Sequence, residues 1–276
     1  MSGAWAVCKR DVKAYFTTPV GYVVLGTFAL ICGLLFNASF LAYALATESP
    51  STYDLAAVPD FEEYFFSPFL VGCASIMMFI GPLITMRLFA EEHNQGTAEM
   101  LFTFPLRERD IIAGKYAAGL AIILAQVGVL AVHVIIMSRY VPVEPTVLVF
   151  GLCAVFMMGS AIVSLGLFVS ALCRSPITAA TVTFGLFLVF FMVGYFGEDL
   201  SEDNPAPAAW SEEMRTVAGT AYSAYRTLIT ELPMQAHAET MAEGIFQPAD
   251  IAYYVLFSAF FLFLTQQALA VRRWRA

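Results

Sequence analysis

The chain has few charged residues for its length. Asp, Glu, Lys and Arg make up 13% of its 276 residues, whereas hydrophobic residues make up 59%. The mean hydropathy is correspondingly high, at +0.74. So little polar side chain cannot coat a water-soluble particle. The composition therefore excludes a soluble enzyme or binding domain and predicts an integral membrane protein.

Several motifs of nucleotide, metal and thiol chemistry are also absent. The sequence contains no GxxxxGK[ST] phosphate-binding loop, so any ATP hydrolysis must take place on another polypeptide. The five cysteines form no CxxC pair, and the three histidines lack ligand spacing. We therefore expect no catalytic residue, no metal and no cofactor bound by this chain. The net charge of −8 gives no indication of a nucleic-acid partner.

What the chain does contain is six uncharged apolar segments. A helix needs about 20 residues to cross the hydrocarbon core, and each segment approaches or exceeds that length. The fold prediction is an all-α membrane protein with six transmembrane helices in a single domain, residues 1–276. The predicted spans are residues 21–46, 69–86, 116–138, 146–172, 177–196 and 251–271.

Positive charge is distributed unevenly between the connecting segments. Lys and Arg in short loops stay on the cytoplasmic side of a membrane. Of the 14 in this chain, 11 lie at the two termini or in the connections after spans 2 and 4. We therefore expect a multi-pass protein of the cell (inner) membrane with both termini in the cytoplasm. The 11 residues are Lys9, Arg10, Lys13, Arg87, Arg107, Arg109, Lys115, Arg174, Arg272, Arg273 and Arg275.

An amphipathic segment, residues 3–18, precedes the first span. Apolar side chains recur there at helical spacing, and charged side chains occupy the other face. This pattern predicts an interfacial helix on the inner leaflet. The residues we assign to that role are Trp5, Lys9, Arg10 and Lys13.

Two segments on the predicted outer side are also informative. The first outer loop is acidic and ends in Tyr64-Phe65-Phe66, which we expect to form an aromatic belt on a solvated face. The second is the outer segment between spans 5 and 6, residues 197–250. Apolar residues recur in it every three to four positions from Met214 to Leu232, which predicts a helix that rests on the outer membrane face.

The connection between spans 2 and 3, residues 87–115, is the longest connection on the predicted cytoplasmic side. We expect the helix of span 2 to continue to Gln95 and stop at Gly96. A second, short helix then begins with Thr97 as its N-cap and ends at Pro105. A capped amphipathic helix that projects from a membrane domain is suited to insert into a groove on a soluble partner.

At these residues the chain resembles a known family. The stretch EEHNQGTAEMLFTFPLRERDIIAGKY, which begins at Glu91, is similar to the cytoplasmic loop of ABC-2 type permeases. The N-terminal KRDVKAYFTTPVGYVVLGTFALICGLLF is similar to the gliding-motility-type branch of that family. The residues that match the loop pattern are Glu91, Glu92, Gly96, Thr97, Glu99, Leu101, Pro105, Gly114 and Lys115.

The resemblance implies a permease subunit of an ABC transporter, expected to be an exporter. A second copy of this chain, or a homologous permease, would pair with it in the lipid bilayer. Each permease would dock one cytoplasmic ABC ATPase that binds ATP and Mg²⁺, and an accessory membrane protein on the outer face is a further candidate partner. The residues implied for coupling to the ATPase are Glu91, Glu92, Gly96, Thr97, Glu99, Leu101, Phe102 and Pro105.

Two polar residues within the spans, Asn37 and His133, could line a pathway. For both we favour a packing role, with a neutral His133 hydrogen-bonded between helices. Two other function classes remain open. One is a non-transporting scaffold of an envelope or motility machine driven by an ATPase. The other is a membrane-embedded enzyme, which is disfavoured because the spans lack a nucleophile with a base.

Overall fold

The computed structural model describes residues 3–48, 60–96, 107–141, 143–198, 200–201, 207, 210–245 and 247–273. Within these ranges the regular structure is entirely helical. Six of the helices are long and apolar enough to cross a membrane. The prediction of an all-α protein with six transmembrane helices is therefore confirmed.

The described helices are of two kinds. Four are short or amphipathic: α1 (Gly3–Thr17), α4 (Ala90–Asn94), α8 (Glu212–Glu231) and α9 (Met234–Ala242). The six spanning helices are α2 (Pro19–Glu48), α3 (Ser67–Thr85), α5 (Glu108–Met137), α6 (Pro145–Leu172), α7 (Pro176–Glu198) and α10 (Pro248–Arg273).

The six crossings divide the remaining segments between two sides of the membrane. Because each crossing reverses the side, α1, α4 and the end of α10 share one side, which we call the terminal face. Helices α8 and α9 lie between the fifth and sixth crossings and share the opposite side, which we call the distal face. The two faces carry different structures, a cluster of charged residues on one and a buried short helix on the other.

Helix α6 lies at the centre of the bundle. It packs against α3, α5, α9 and α10, and most of its side chains are buried. Two glycines allow these close approaches: a Cβ at Gly159 would lie 2.4 Å from Cγ2 of Ile123, and one at Gly166 would lie 2.2 Å from Oγ1 of Thr85. Small residues on α6 are therefore used for packing within this chain.

The aromatic residues before α3 are placed differently from the sequence-based expectation. Tyr64 is half exposed, but Phe65 and Phe66 are fully buried. A five-residue π-helical turn, Glu62–Phe66, turns them toward the core. There Phe65 stacks on Phe61 with ring centroids 4.9 Å apart and meets the ring of Phe36 edge-on at 5.4 Å. The expectation of a solvated aromatic belt is wrong for these two phenylalanines.

Helix α8 has an apolar side that the other described residues leave exposed. The hydroxyl of Ser211 caps its first turn by accepting a hydrogen bond from the amide of Met214 at 3.4 Å. The large apolar side chains of α8 are exposed, namely Met214, Val217, Tyr225 and Leu228. This pattern agrees with a helix that lies along a membrane surface.

Candidate functional site: a charged cluster on the terminal face

The second span does not continue into the following connection as one helix. Helix α3 ends at Thr85, residues 86–89 are not helical, and α4 begins at Ala90. The expectation of an uninterrupted helix to Gln95 is therefore wrong. The interruption is possible inside a packed protein because side chains from other helices bind the backbone groups that it frees.

Ser170 of α6 binds three of these backbone groups. Its Oγ accepts hydrogen bonds from the amides of Phe89 and Ala90, both at 3.0 Å, and donates one to the carbonyl of Met86 at 3.2 Å. Ser170 therefore caps the N-terminus of α4 from a different helix. Its side chain is fully buried, so water cannot take over this role.

Two further side chains bind carbonyl groups at the same interruption. The hydroxyl of Tyr15, on α1, donates a hydrogen bond to the carbonyl of Ile84. The ammonium of Lys115, on α5, donates one to the carbonyl of Leu88. Burial, together with the charge of Asp11, raises the pKa of Tyr15, so that its hydroxyl stays protonated and able to donate.

Lys115 also binds two carboxylates. Its Nζ lies 3.0 Å from Oε1 of Glu92 on α4 and 3.3 Å from Oδ2 of Asp11 on α1. It lies 4.9 Å above the centre of the Phe89 ring. Only 1% of the Lys115 side chain is exposed, and a buried ammonium is tolerated only when such partners are present. Lys115 thus connects α5 with α1, with α4 and with the interruption of span 2.

Two arginines complete this arrangement, which we call the terminal-face cluster. Arg10 donates to Asp11 at 2.8 Å and to Glu92 at 2.5 Å. Burial acts to lower the pKa of Arg10, but the two carboxylates outweigh it and raise that pKa above its usual value. Arg87 binds both carboxylate oxygens of Glu91, at 2.5 and 2.7 Å. The cluster, which surrounds an open cleft of about 370 Å³, comprises Arg10, Asp11, Tyr15, Arg87, Glu91, Glu92 and Lys115.

A glycine next to Lys115 allows α1 to approach closely enough for these contacts. A Cβ at Gly114 would lie 2.6 Å from the carbonyl oxygen of Ala4 and 2.7 Å from Cβ of Val7. Without a side chain at Gly114, α1 lies directly against the start of α5. This approach is what places Asp11 beside Lys115.

The structure brings some of the predicted coupling residues into the cluster. Glu91 and Glu92 form its α4 side, and Gly96 has a left-handed φ of 68° two residues after α4 ends. The other predicted coupling residues lie outside the described residues. They are Thr97, Glu99, Leu101, Phe102 and Pro105.

The predicted interfacial residues are divided between the cluster and the surface. Arg10 is part of the cluster, whereas Lys9 and Lys13 are exposed on the other side of α1. Trp5 is 56% exposed and is available to a surrounding bilayer. The role of these residues at the membrane surface remains a prediction.

Neither candidate polar residue of the spans joins the cluster. Asn37 is exposed on α2 in the single chain, and the packing role expected for it stays a prediction. Nδ1 of His133 lies 3.0 Å from the carbonyl of Val129, one turn earlier on the same helix. Its ring contacts Phe36 and Phe69. The expected hydrogen bond between helices is therefore replaced by one within α5.

Sequence reasoning assigned no role in this site to four residues that organise it, namely Asp11, Tyr15, Lys115 and Ser170. Lys115 offered a signal, because it is a cation directly before an uncharged segment and matches the family pattern. Ser170 offered none, since serine is common in packed membrane helices. Within the described residues, no three His, Cys, Asp or Glu side chains cluster so as to hold a metal ion.

Replacing Ser170 with alanine tests whether its hydroxyl supports the interruption. We expect the free energy of unfolding to fall by about 1–3 kcal/mol, because the amides of Phe89 and Ala90 would lose a buried acceptor. Thermal denaturation in one detergent measures the effect. Ser164→Ala is the matched control. Ser164 is also fully buried on α6, but among the described residues its hydroxyl donates only to the carbonyl of Ala161, on its own helix. Equal effects of the two variants would contradict the assigned role.

Comparison with known proteins assigns the chain to a family. Residues 6–271 match the family model described as ABC-2 family transporter protein. The match includes all six spans and the terminal-face cluster. No curated protein matches the chain in sequence. The chain therefore belongs to the ABC-2 transporter family and is a permease component of an ABC transporter.

Proposed function

We propose that this chain is the permease subunit of an exporter in the inner membrane, with its terminal face in the cytoplasm. A separate ABC ATPase binds ATP and Mg²⁺ and docks on residues 97–106, and this chain hydrolyses nothing itself. A second permease, either another copy or a homologue of the gliding-motility-type branch, completes the transmembrane part. The terminal-face cluster passes movement of the docked ATPase to the spans.

The observation that supports this proposal is the position of the cluster at both ends of the docking segment. Residues 97–106 connect α4 to α5. Helix α4 enters the cluster through Glu92, and α5 enters it through Lys115, whose Nζ lies 3.0 Å from Oε1 of Glu92. A displacement of residues 97–106 would therefore act on the ion pair between Glu92 and Lys115, which joins α4 to α5.

From this ion pair the displacement reaches the second span. Lys115 also binds the carbonyl of Leu88, within the interruption between α3 and α4. Because residues 86–89 are not helical, α4 can change its angle to α3 without breaking a continuous helix. ATP would act through its differential affinity for the two resulting arrangements of the spans.

The chemistry of the spans favours an apolar or polymeric cargo. Aliphatic and aromatic residues dominate them, and the described spans contain no ring of charged side chains such as ion pathways use. We therefore propose a lipidic, polymeric or peptide substrate in preference to a small ion.

The charge of Glu99 provides a test of ATPase coupling. Glu99→Lys reverses a carboxylate in the docking segment, and we expect ATP-driven transport to fall about tenfold, because a like charge at an interface repels the partner. The measurement uses vesicles that contain the permease and its ATPase subunit. Glu144→Lys is the control, because it makes the same charge reversal at an exposed residue before α6, on the distal face.

The outcome separates the proposed role from its alternatives. Full transport and full ATPase stimulation with Glu99→Lys would overturn coupling through this segment. Transport that persists with a hydrolysis-deficient ATPase would overturn the proposed exporter. Absence of transport with the intact complex, together with normal ATPase binding, would identify a scaffold.

A further inference from the structure

The distal face contains a short helix that is buried in the bundle. Helix α9 has nine residues and packs against α6 and α3. Met234, Ala238 and Met241 are at most 2% exposed. A turn at Gly244, with φ of 81°, follows the helix and lies close to Val147 at the start of α6. Helix α9 therefore occupies the space between two central spans at their distal ends.

Polar contacts with the start of α10 hold α9 in this position. Nδ1 of His237 lies 2.7 Å from Oδ1 of Asp250, and the hydroxyl of Thr240 donates to Oδ2 of Asp250 at 2.8 Å. Tyr254 donates to the carbonyl of Met234 at 2.6 Å. His237 is 8% exposed and Asp250 is 4% exposed, so their contact is shielded from water.

The surroundings of His237 define how many protons this contact needs. Nε2 lies 3.0 Å from the backbone carbonyl of Glu231, and Nδ1 faces the carboxylate of Asp250. A carbonyl oxygen and an ionised carboxylate are both acceptors, whereas a neutral imidazole has only one N–H. The Nε2 contact takes one proton, and a second must lie between Nδ1 and Oδ1. Without this second proton, the lone pair of Nδ1 would face the ionised carboxylate of Asp250, and the two would repel each other.

We propose that the proton shared by His237 and Asp250 holds α9 between α3 and α6, so that α9 becomes less firmly held as the pH at the distal face rises. Loss of the proton gives the imidazole and the Asp250 carboxylate, in which one acceptor is left without a donor. Such a buried group is costly, and release of α9 from α10 relieves it. The pair is thus a proton-sensitive contact between α9 and the last span.

The other titratable groups around His237 are few. The carboxylate of Glu231, at the end of α8, lies 4.0 Å from Nε2. On α10, the ring of Tyr253 stacks on the imidazole at 4.0 Å, and the ring of Tyr254 lies 6.3 Å away.

The elements packed on the other sides of α9 add little charge. Helices α3 and α6 contain no Asp, Glu, Lys, Arg, His or Tyr, and their only titratable groups are Cys73 and Cys153. Helix α7 carries Tyr195, which lines a cavity of about 290 Å³ together with Glu239 of α9. It also carries Glu198 at its last residue. Asp250 is therefore the acid that shares its proton with His237.

Hydrogen exchange of residues 234–242 tests the inference and requires neither ATP nor an ATPase subunit. The full chain in lipid nanodiscs is measured at a series of pH values from about 5 to about 9. After correction for the intrinsic rate at each pH, we expect protection of α9 to fall about tenfold as the pH rises. Constant protection across this range would overturn the inference.

Asp250→Asn separates the shared proton from a merely structural contact. The amide NH₂ of asparagine donates to a neutral Nδ1, and its oxygen accepts from Thr240, so every contact is satisfied without a titratable proton. We expect this variant to keep α9 protected and to lose the pH dependence. His237→Ala should lose protection at every pH. An unchanged pH dependence in Asp250→Asn would overturn the assignment.

Discussion

Replacing Lys115 with methionine is expected to lower the free energy of unfolding by about 3–5 kcal/mol. Methionine has a similar length but no charge, so the partly buried carboxylates of Asp11 and Glu92 would lose one of their two cations, and the carbonyl of Leu88 would lose its donor. Thermal denaturation of the purified permease in one detergent measures the change. We also expect α1 to be released from α5, which limited proteolysis near residue 17 would detect.

Two further variants show whether this effect comes from the cluster. Lys9→Met removes a lysine from the exposed side of α1 and should change stability by no more than about 0.5 kcal/mol. Asp11→Asn combined with Lys115→Met should cost less than the sum of the two single changes, because each single change already removes the interaction between these two side chains. Strict additivity would contradict a direct interaction between Lys115 and Asp11.

Gly166→Ala is expected to lower the free energy of unfolding by about 3 kcal/mol, because it overfills the contact between two central spans. The added Cβ would lie 2.2 Å from Oγ1 and 2.5 Å from Cβ of Thr85. Thr85 is fully buried and donates to the carbonyl of Gly81 at 3.1 Å, so its side chain cannot simply rotate away. Helix α3 must therefore move away from α6. Thermal denaturation in detergent provides the measurement.

Gly128→Ala is the matched control for this second variant. It makes the same change within a spanning helix, α5, but apart from the helix's own neighbouring residues no described atom lies within 4 Å of the added Cβ. Alanine should be neutral or slightly stabilising there, since it favours helix more than glycine does. If Gly166→Ala were as stable as Gly128→Ala, the close contact between α3 and α6 would be refuted.

The spans could be predicted from the sequence because the requirement for them is local. About 20 consecutive apolar residues suffice to identify a crossing, wherever the neighbouring helices lie. The ends were less accurate: α5 begins at Glu108, eight residues before the predicted start at Tyr116. Charged residues such as Arg109 do not stop a helix once it leaves the hydrocarbon, so hydropathy underestimates its length.

The terminal-face cluster could be predicted only in part. The family pattern identifies Glu91 and Glu92, but it does not predict which cations they bind. Arg10 is 82 residues from Glu92 in sequence, and Lys115 is 104 residues from Asp11. The periodicity of apolar residues cannot predict such a contact, because the contact depends on how α1, α4 and α5 pack together. The interruption of span 2 was missed for the same reason.

Helix α9 illustrates a different limit of sequence reasoning. Its nine residues contain just two large apolar side chains, Met234 and Met241, which is too short a pattern to distinguish a buried helix from a surface turn. The three histidines lack metal-ligand spacing, but spacing compares His237 only with its neighbours in sequence. The partner that matters, Asp250, lies 13 residues later, at the start of another helix.

The interruption of span 2 also constrains the order in which the protein can be completed. Synthesis proceeds from the N-terminus, and Phe89 and Ala90 leave the ribosome 81 and 80 residues before Ser170, which binds their amides. Until the fourth span has entered the bilayer, these amides have no such acceptor. The amides of the nascent second span must therefore find other hydrogen-bond acceptors. The native interruption of span 2 forms only after more than half of the polypeptide has been made.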